Sequence, residues 1–257
     1  MVYKYYSPEG HNVEAFENQY FFFCNVEKLN DPFDTSISLL QSEWFRKKLN
    51  LPDNVGGIMR QYATCSFAKR KDNLFLWAHY AQSFNGFCLA FDDSTFNGMT
   101  LKYQVRFVYQ EVQYVDKLIN CDNLDETFQL YNSEGQLETY KLEDCLKDCK
   151  IADKFFTYLA FIKDRSTWEK EEEIRMFLGL DLLRRPHMPD GILKDEKKYK
   201  GYKVNMPENA VKALILGHNM EKETRQRLLV KAKKLNIPSY VTEAKVPFNI
   251  DIKEYSN

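Results

Sequence analysis

The sequence predicts an α+β fold, with mixed or antiparallel sheets and flanking helices, in a single domain over residues 1–257. Three observations predict it. Residues 103–115, Y-Q-V-R-F-V-Y-Q-E-V-Q-Y-V, alternate at the two-residue period of a half-buried strand. Residues 222–235 place Leu228, Leu229, Ala232 and Leu235 on one helical stripe. Aromatic residues form 15% of the chain, a content that favours strands and an aromatic interior. No internal repeat, low-complexity tract or linker divides the 257 residues.

Each element has a local reason. Residues 1–6 alternate as a short strand, and Ser7, Pro8, Glu9 and Gly10 read as a turn. Residues 19–26, Q-Y-F-F-F-C-N-V, are apolar enough for a buried strand. Pro32 disfavours helix at Asp31, so residues 29–34 read as a turn into a helix over 34–49. Gly56 and Gly57 mark a break before a short strand at 64–67. Lys69, Arg70 and Lys71 then form a basic loop. Asn73 or Asp72 can cap a helix over residues 74–81, which Gly86 ends. Phe87–Phe91 is a strand, F-C-L-A-F. Residues 118–143 are polar and carry no clear pattern, and 142–161 reads as one long helix. Residues 174–180 read as a buried strand and 184–200 as an exposed loop. Short strands at 211–216 and 237–243 flank the amphipathic helix of 222–235.

Composition excludes several classes. A net charge of −1 gives no overall field that attracts nucleic acid or an anionic membrane. The six cysteines are scattered without a C-x-x-C pair, as expected of free thiols in a reducing cytoplasm. The N-terminus lacks a basic-then-apolar leader, and no apolar run reaches the ~18–20 residues of a membrane span. The expected location is therefore cytoplasmic, with no membrane partner. The phosphate cradles G-x-x-x-x-G-K-[ST] and G-x-G-x-x-G are absent, as are G-x-S-x-G and H-E-x-x-H.

The stretch richest in chemistry is Trp168–Arg175, W-E-K-E-E-E-I-R, with a W-x-x-E-x-E-x-R pattern. On a strand, Glu171, Glu173 and Arg175 share a face. Paired carboxylates beside an arginine suit acid/base work or ribose binding, while a solvated charged helix face is the competing reading. The segment L-W-A-H-Y-A-Q-S-F-N-G adds Trp77, His79 and Tyr80. As a helix it aligns Leu76, Tyr80 and Phe84 on one face and His79 with Ser83 on another. His79 or Tyr80 can stack on or bond a ligand near Ser66, or the segment can be a core helix. Asn30 and Asp31 can meet a ribose or simply cap a helix. Cys65-Ser66 has no base at motif spacing, which argues against a nucleophile there.

Together these segments resemble a known family. They are Tyr3-Lys4-Tyr5, Asn30-Asp31-Pro32-Phe33-Asp34, Cys65-Ser66-Phe67, Leu76-Trp77-x-His79-Tyr80-Ala81 with Gly86-Phe87-Cys88, and Lys163 with Trp168-x-x-Glu171-x-Glu173-x-Arg175. The resemblance is to the domain of unknown function 2971 family of bacteria and their mobile elements, from residue 3 to about residue 245. The order of elements is also similar to that of ADP-ribosyltransferases, which grip NAD in a cleft between two small sheets. That similarity implies Lys4 or Tyr5 as the first-strand element, where the commoner residue is Arg or His. It implies Ser66 with His79 and Tyr80 as the second element, and Glu171 with Glu173 as the third. Glu173 is then the catalytic carboxylate and Glu171 its partner, with Arg175 orienting a carboxylate or phosphate. Trp77 and Trp168 join the binding residues. NAD is the implied substrate, with no metal, and a toxin or phage-defence effector is the implied setting. Two alternatives stand beside it: a non-catalytic nucleotide-sensing module, and a nuclease using Glu171, Glu173 and Asp31 or Asp34 around Mg²⁺.

Overall fold

The computed structural model describes residues 1–29, 43–48, 62–103, 105–132, 136–179, 189–195, 201–245 and 249–255. Strand β1 (Val2–Tyr6) is followed by helix α1 (Gly10–Glu17) and β2 (Tyr20–Asn25). Helix α2 (Glu43–Lys48) precedes β3 (Tyr62–Ala68), α3 (Leu74–His79) and β4 (Phe87–Phe91). Next come α4 (Met99–Tyr103), β5 (Arg106–Glu111), β6 (Gln113–Val115) and the antiparallel pair β7 (Thr127–Tyr131) and β8 (Leu137–Lys141). Helix α5 (Cys149–Ala160), β9 (Ile162–Asp164) and α6 (Arg165–Trp168) lead into β10 (Glu173–Gly179). The last elements are β11 (Ile192–Asp195), β12 (Gly201–Asn205), β13 (Val211–Leu216), α7 (Lys222–Lys234), β14 (Ser239–Lys245) and β15 (Asn249–Glu254). The fold is α+β with a mixed sheet, as the sequence predicts.

The main sheet runs β11-β12-β2-β3-β1-β4-β13-β14-β15, and β10 joins β3 to β5. Its pairs are antiparallel except β13 with β14, which α7 connects as a crossover. The sheet forks at β3. One edge of β3 pairs with β10 along all of Tyr62–Ala68. The other edge is shared: Ala63 and Thr64 pair with β2, and Ala68 pairs with Tyr3 of β1. Between these contacts, Cys65, Ser66 and Phe67 have no register partner on that edge among the described residues. The β2 and β1 wings therefore diverge, and a cleft opens between them.

Buried rings hold the wings together. The largest core cluster joins Phe16 of α1, Phe21 and Phe23 of β2, Phe67 of β3 and Phe87 and Phe91 of β4. Each such ring contributes roughly 1.5–3 kcal/mol on burial. A second cluster packs Phe155 and Leu159 of α5 against Phe128 of β7 and Phe177 of β10. The side chains of α5 that face it fall at helical spacing, Phe155, Tyr158 and Leu159.

Several local expectations are corrected. Residues 142–161 are not one helix: a 3-10 turn, Leu142–Leu146, is followed by α5. Asp148 causes the break, because its backbone is extended and its carboxylate accepts the Lys150 N–H as an N-cap. The strand over 103–115 divides at Val112, whose N–H donates to Glu173 O; β5 then pairs with β10 and β6 with β9. The turn expected to end at Gly10 gives way to α1, which begins there. Within 184–200, Ile192–Asp195 is a strand on β12 rather than loop. Residues 118–143, unreadable in sequence, contain the β7–β8 pair. The helix expected over 34–49 is described only at Glu43–Lys48. All six cysteines are free. Among the described residues, no helix is long and apolar enough to cross a membrane.

Candidate functional site

The cleft at the fork has a volume of about 1040 Å³ and draws its walls from β1, β2, β3, α3 and the turn before β10. Lys4, Tyr5, Ser66, His79, Tyr80, Trp168, Glu171 and Glu173 all line it. Two other candidates do not. Trp77 is fully buried, with its ring stacked on Phe84 and its indole N–H donating to Lys71 O at 2.9 Å. Arg175 is 1% exposed and points into the protein, where it donates to Ala160 O at 2.8 Å. Both are corrected from ligand contacts to internal supports. Asn30 and Asp31, with Asp34, lie outside the described residues.

The acid motif is not one strand face. Glu171 ends a 3-10 turn, Glu169–Glu171, and Glu172 adopts a left-handed backbone with φ 47° and ψ 48°. Only from Glu173 does the chain run extended. The kink nevertheless brings the carboxylates together, because Lys163 lies between them. Its Nζ is 2.7 Å from Glu171 Oε2 and 2.9 Å from Glu173 Oε2. Lys163 stands on β9, which pairs with β6, and its Nζ also lies 4.9 Å from the centre of the Trp168 ring.

The two acids differ in how tightly they are held. Glu173 is 3% exposed. Arg175 grips it through both oxygens, at 2.7 and 2.9 Å. The Glu173 N–H donates to the Tyr114 hydroxyl at 2.8 Å. Burial pushes the Glu173 carboxyl up, but Arg175 and Lys163 more than offset this, and Ser66 adds a hydrogen bond. The carboxyl is held well below the usual range and stays ionised. Glu171 instead accepts the Tyr80 hydroxyl on Oε1 at 2.5 Å. Burial, then the Glu171 charge, raises the Tyr80 phenol well above its ordinary value, so Tyr80 remains a donor.

Helix α3 and its exit set Tyr80. Asn73 caps the helix, accepting the Leu76 N–H, and its amide donates to Lys170 O at 2.7 Å, which ties α3 to the acid turn. The helix stops at His79 because Gln82, Ser83 and Phe84 are all left-handed, with φ of 48°, 52° and 65°. The expected pairing of His79 with Ser83 on a helix face is thereby lost. His79 is exposed at the rim and lies against Phe75. Tyr5 is fixed between Arg70 and Asn73, its hydroxyl donating to Arg70 O at 2.8 Å and accepting the Asn73 N–H.

Sequence reasoning left Lys163 and Tyr114 off the candidate site. Lys163 did stand within the resembling motifs, eight residues before Glu171. Nothing in the alternating run around Tyr114 distinguished it from its neighbours. Among the described residues, no group of three His, Cys, Asp or Glu is placed to hold a metal ion.

No curated protein and no solved structure matches the chain. A family model does, over residues 76–176, a narrower span than the resemblance suggested. That span starts in α3 and ends in β10, so it contains Tyr80, Lys163, Glu171, Glu173 and Arg175. Over residues 76–176 the chain is similar to the family described as "Protein of unknown function (DUF2971)".

Proposed function

We propose that the cleft binds an NAD-type dinucleotide and that the chain is an ADP-ribosyltransferase-like enzyme. The observation that carries this reading is a pair of carboxylates, Glu171 and the ionised Glu173, with Tyr80 and Ser66, at the wall of a cleft of about 1040 Å³ formed where a sheet forks. A cleft at the upper end of small-ligand sites suits a dinucleotide, and the rings of Tyr5, Tyr80 and Trp168 offer stacking surfaces. Glu171 takes the working role in place of Glu173, because Arg175 and Lys163 already occupy both Glu173 oxygens. A ligand hydroxyl can replace Tyr80 on Glu171 without breaking the Lys163 contact.

The chemistry is cleavage of the bond between the ribose C1 and the pyridinium nitrogen. Both bonding electrons go to the ring, which leaves as neutral nicotinamide, and the ribose is left oxocarbenium-like. Glu171 stabilises that positive charge and takes the proton that the acceptor loses as it attacks C1. Six free cysteines fit a reducing cytoplasm, and an NAD-consuming toxin or phage-defence effector is a setting for such chemistry.

A purified chain mixed with NAD and cell extract is expected to release nicotinamide. Glu171→Gln should slow release by roughly 10²–10⁴-fold while the chain stays folded. No release by the unaltered chain would defeat the enzyme reading. The sensing alternative has support of its own, since Lys163 and Arg175 neutralise both acids. A rise in melting temperature with NAD and no nicotinamide would favour it. The nuclease alternative fares worse, because the Lys163 ammonium occupies the place between the carboxylates that Mg²⁺ would need.

A further inference from the structure

We infer that the cleft carries an anion subsite at Lys4, which takes a phosphate or pyrophosphate group. The charges along the cleft point there. Lys163 is committed to Glu171 and Glu173. Lys203 is committed to Glu14 at 3.2 Å and Asp195 at 3.8 Å. Lys4 has no carboxylate partner among the described residues. Its Nζ donates to Ser66 O at 2.9 Å and lies 5.5 Å and 5.6 Å from the centres of the Tyr6 and Phe67 rings. An ammonium carries three donors; Ser66 O and the Cys65 sulfur take two, and the third is open to a ligand. A half-buried cation among rings, with no counter-charge among the described residues, favours an incoming anion, and a charge-assisted bond is the strong kind.

A second observation points to the same place. The Tyr6 hydroxyl is buried and has no hydrogen-bond partner among the described residues. Tyr6 lines the cleft two residues along β1 from Lys4, on the same side of the strand. A buried hydroxyl without a partner is uncommon and calls for an explanation. An oxyanion held by Lys4 supplies one.

The subsite adjoins the acid pair. Ser66 offers its carbonyl to Lys4 and its hydroxyl to Glu173, so one residue joins the two. A ligand with an anionic group close to a ribose can reach both. This deepens the NAD reading and rests on it only for the identity of the ligand.

The test measures the melting temperature of the full chain with inorganic pyrophosphate, ADP-ribose or adenosine. Pyrophosphate and ADP-ribose are expected to raise it, and added salt to weaken the effect. Lys4→Met should weaken both by roughly tenfold or more and leave adenosine unchanged. Response to ADP-ribose but not pyrophosphate would assign the anion to a nucleotide rather than a free phosphate and keep the subsite. Tyr6→Phe removes a hydroxyl that bonds nothing among the described residues, so it keeps the fold should Lys4→Met fail to. It should weaken pyrophosphate binding several-fold. Equal pyrophosphate binding by the unaltered chain and both variants would overturn the subsite. So would the absence of any response to both anions. Anion binding without nicotinamide release would leave the subsite standing and defeat the enzyme reading; release with no dependence on Lys4 would do the reverse.

Discussion

Glu173→Gln is expected to lower the melting temperature by roughly 6–20 °C, from the ~3–5 kcal/mol cost of breaking a buried ion pair. Glutamine keeps the shape but removes the charge that faces Arg175, itself 1% exposed. It removes the carboxylate that Arg175 grips through both oxygens and one of the two carboxylates that Lys163 meets. Glu171→Gln is the milder change, because Lys163 then still has Glu173 at 2.9 Å. Melting curves of both variants check this, and equal losses would refute it.

The same carboxyl predicts a pH dependence. Its folded value is depressed, so the unfolded chain binds its proton at higher pH than the native one. Its contribution is complete above the unfolded value, about 4.3, and is lost as pH falls through the folded value. The gap between the unaltered chain and Glu173→Gln should therefore hold from pH 7 to about 5 and narrow only below about 4.3. Melts in this range read it directly; a gap that widens on acidification would contradict the assignment of Arg175 and Lys163 as its cause.

What sequence could read here is the regular part. Period-two alternation located β1, and short apolar runs located β2 and β4, because each lies in a sheet with buried rings on at least one face. The W-x-x-E-x-E-x-R motif identified the acids, but not their geometry. A two-residue spacing implies a common strand face only if the residue between them is extended. Glu172 is left-handed, a state that few residues other than glycine adopt and that composition does not announce. The carboxylates converge through Lys163, a contact between β9 and the acid turn eight residues on that neither the strand nor the helix period encodes. Trp77 was misplaced for a related reason. A helix of only six residues, ended by three left-handed residues, turns the tryptophan inward onto Phe84 and leaves Tyr80 to face the cleft.

That left-handed exit from α3 makes Gly86 the other position of large effect. A Cβ built on Gly86 would lie 2.0 Å from Tyr6 O and 3.0 Å from Ala81 O, both backbone atoms. Neither can swing aside as a side-chain tip would, so β1 and the turn must part. Gly86→Ala is expected to cost about 3 kcal/mol, the upper part of the usual overpacking range, and to lower the melting temperature by roughly 6–12 °C. Gly10→Ala is the control. Among the described residues nothing lies within 4 Å of a Cβ built there, and alanine favours the helix it begins. The loss at Gly86 should also reach the cleft. The Gly86 N–H holds Ala81 O at 2.8 Å, and Tyr80 precedes Ala81. A displaced turn draws the Tyr80 hydroxyl away from Glu171, so ligand binding should fall even below the melting transition. A Gly86→Ala chain that melts with the unaltered one would mean that β1 and the turn are not in the close contact on which the position of Tyr80 depends.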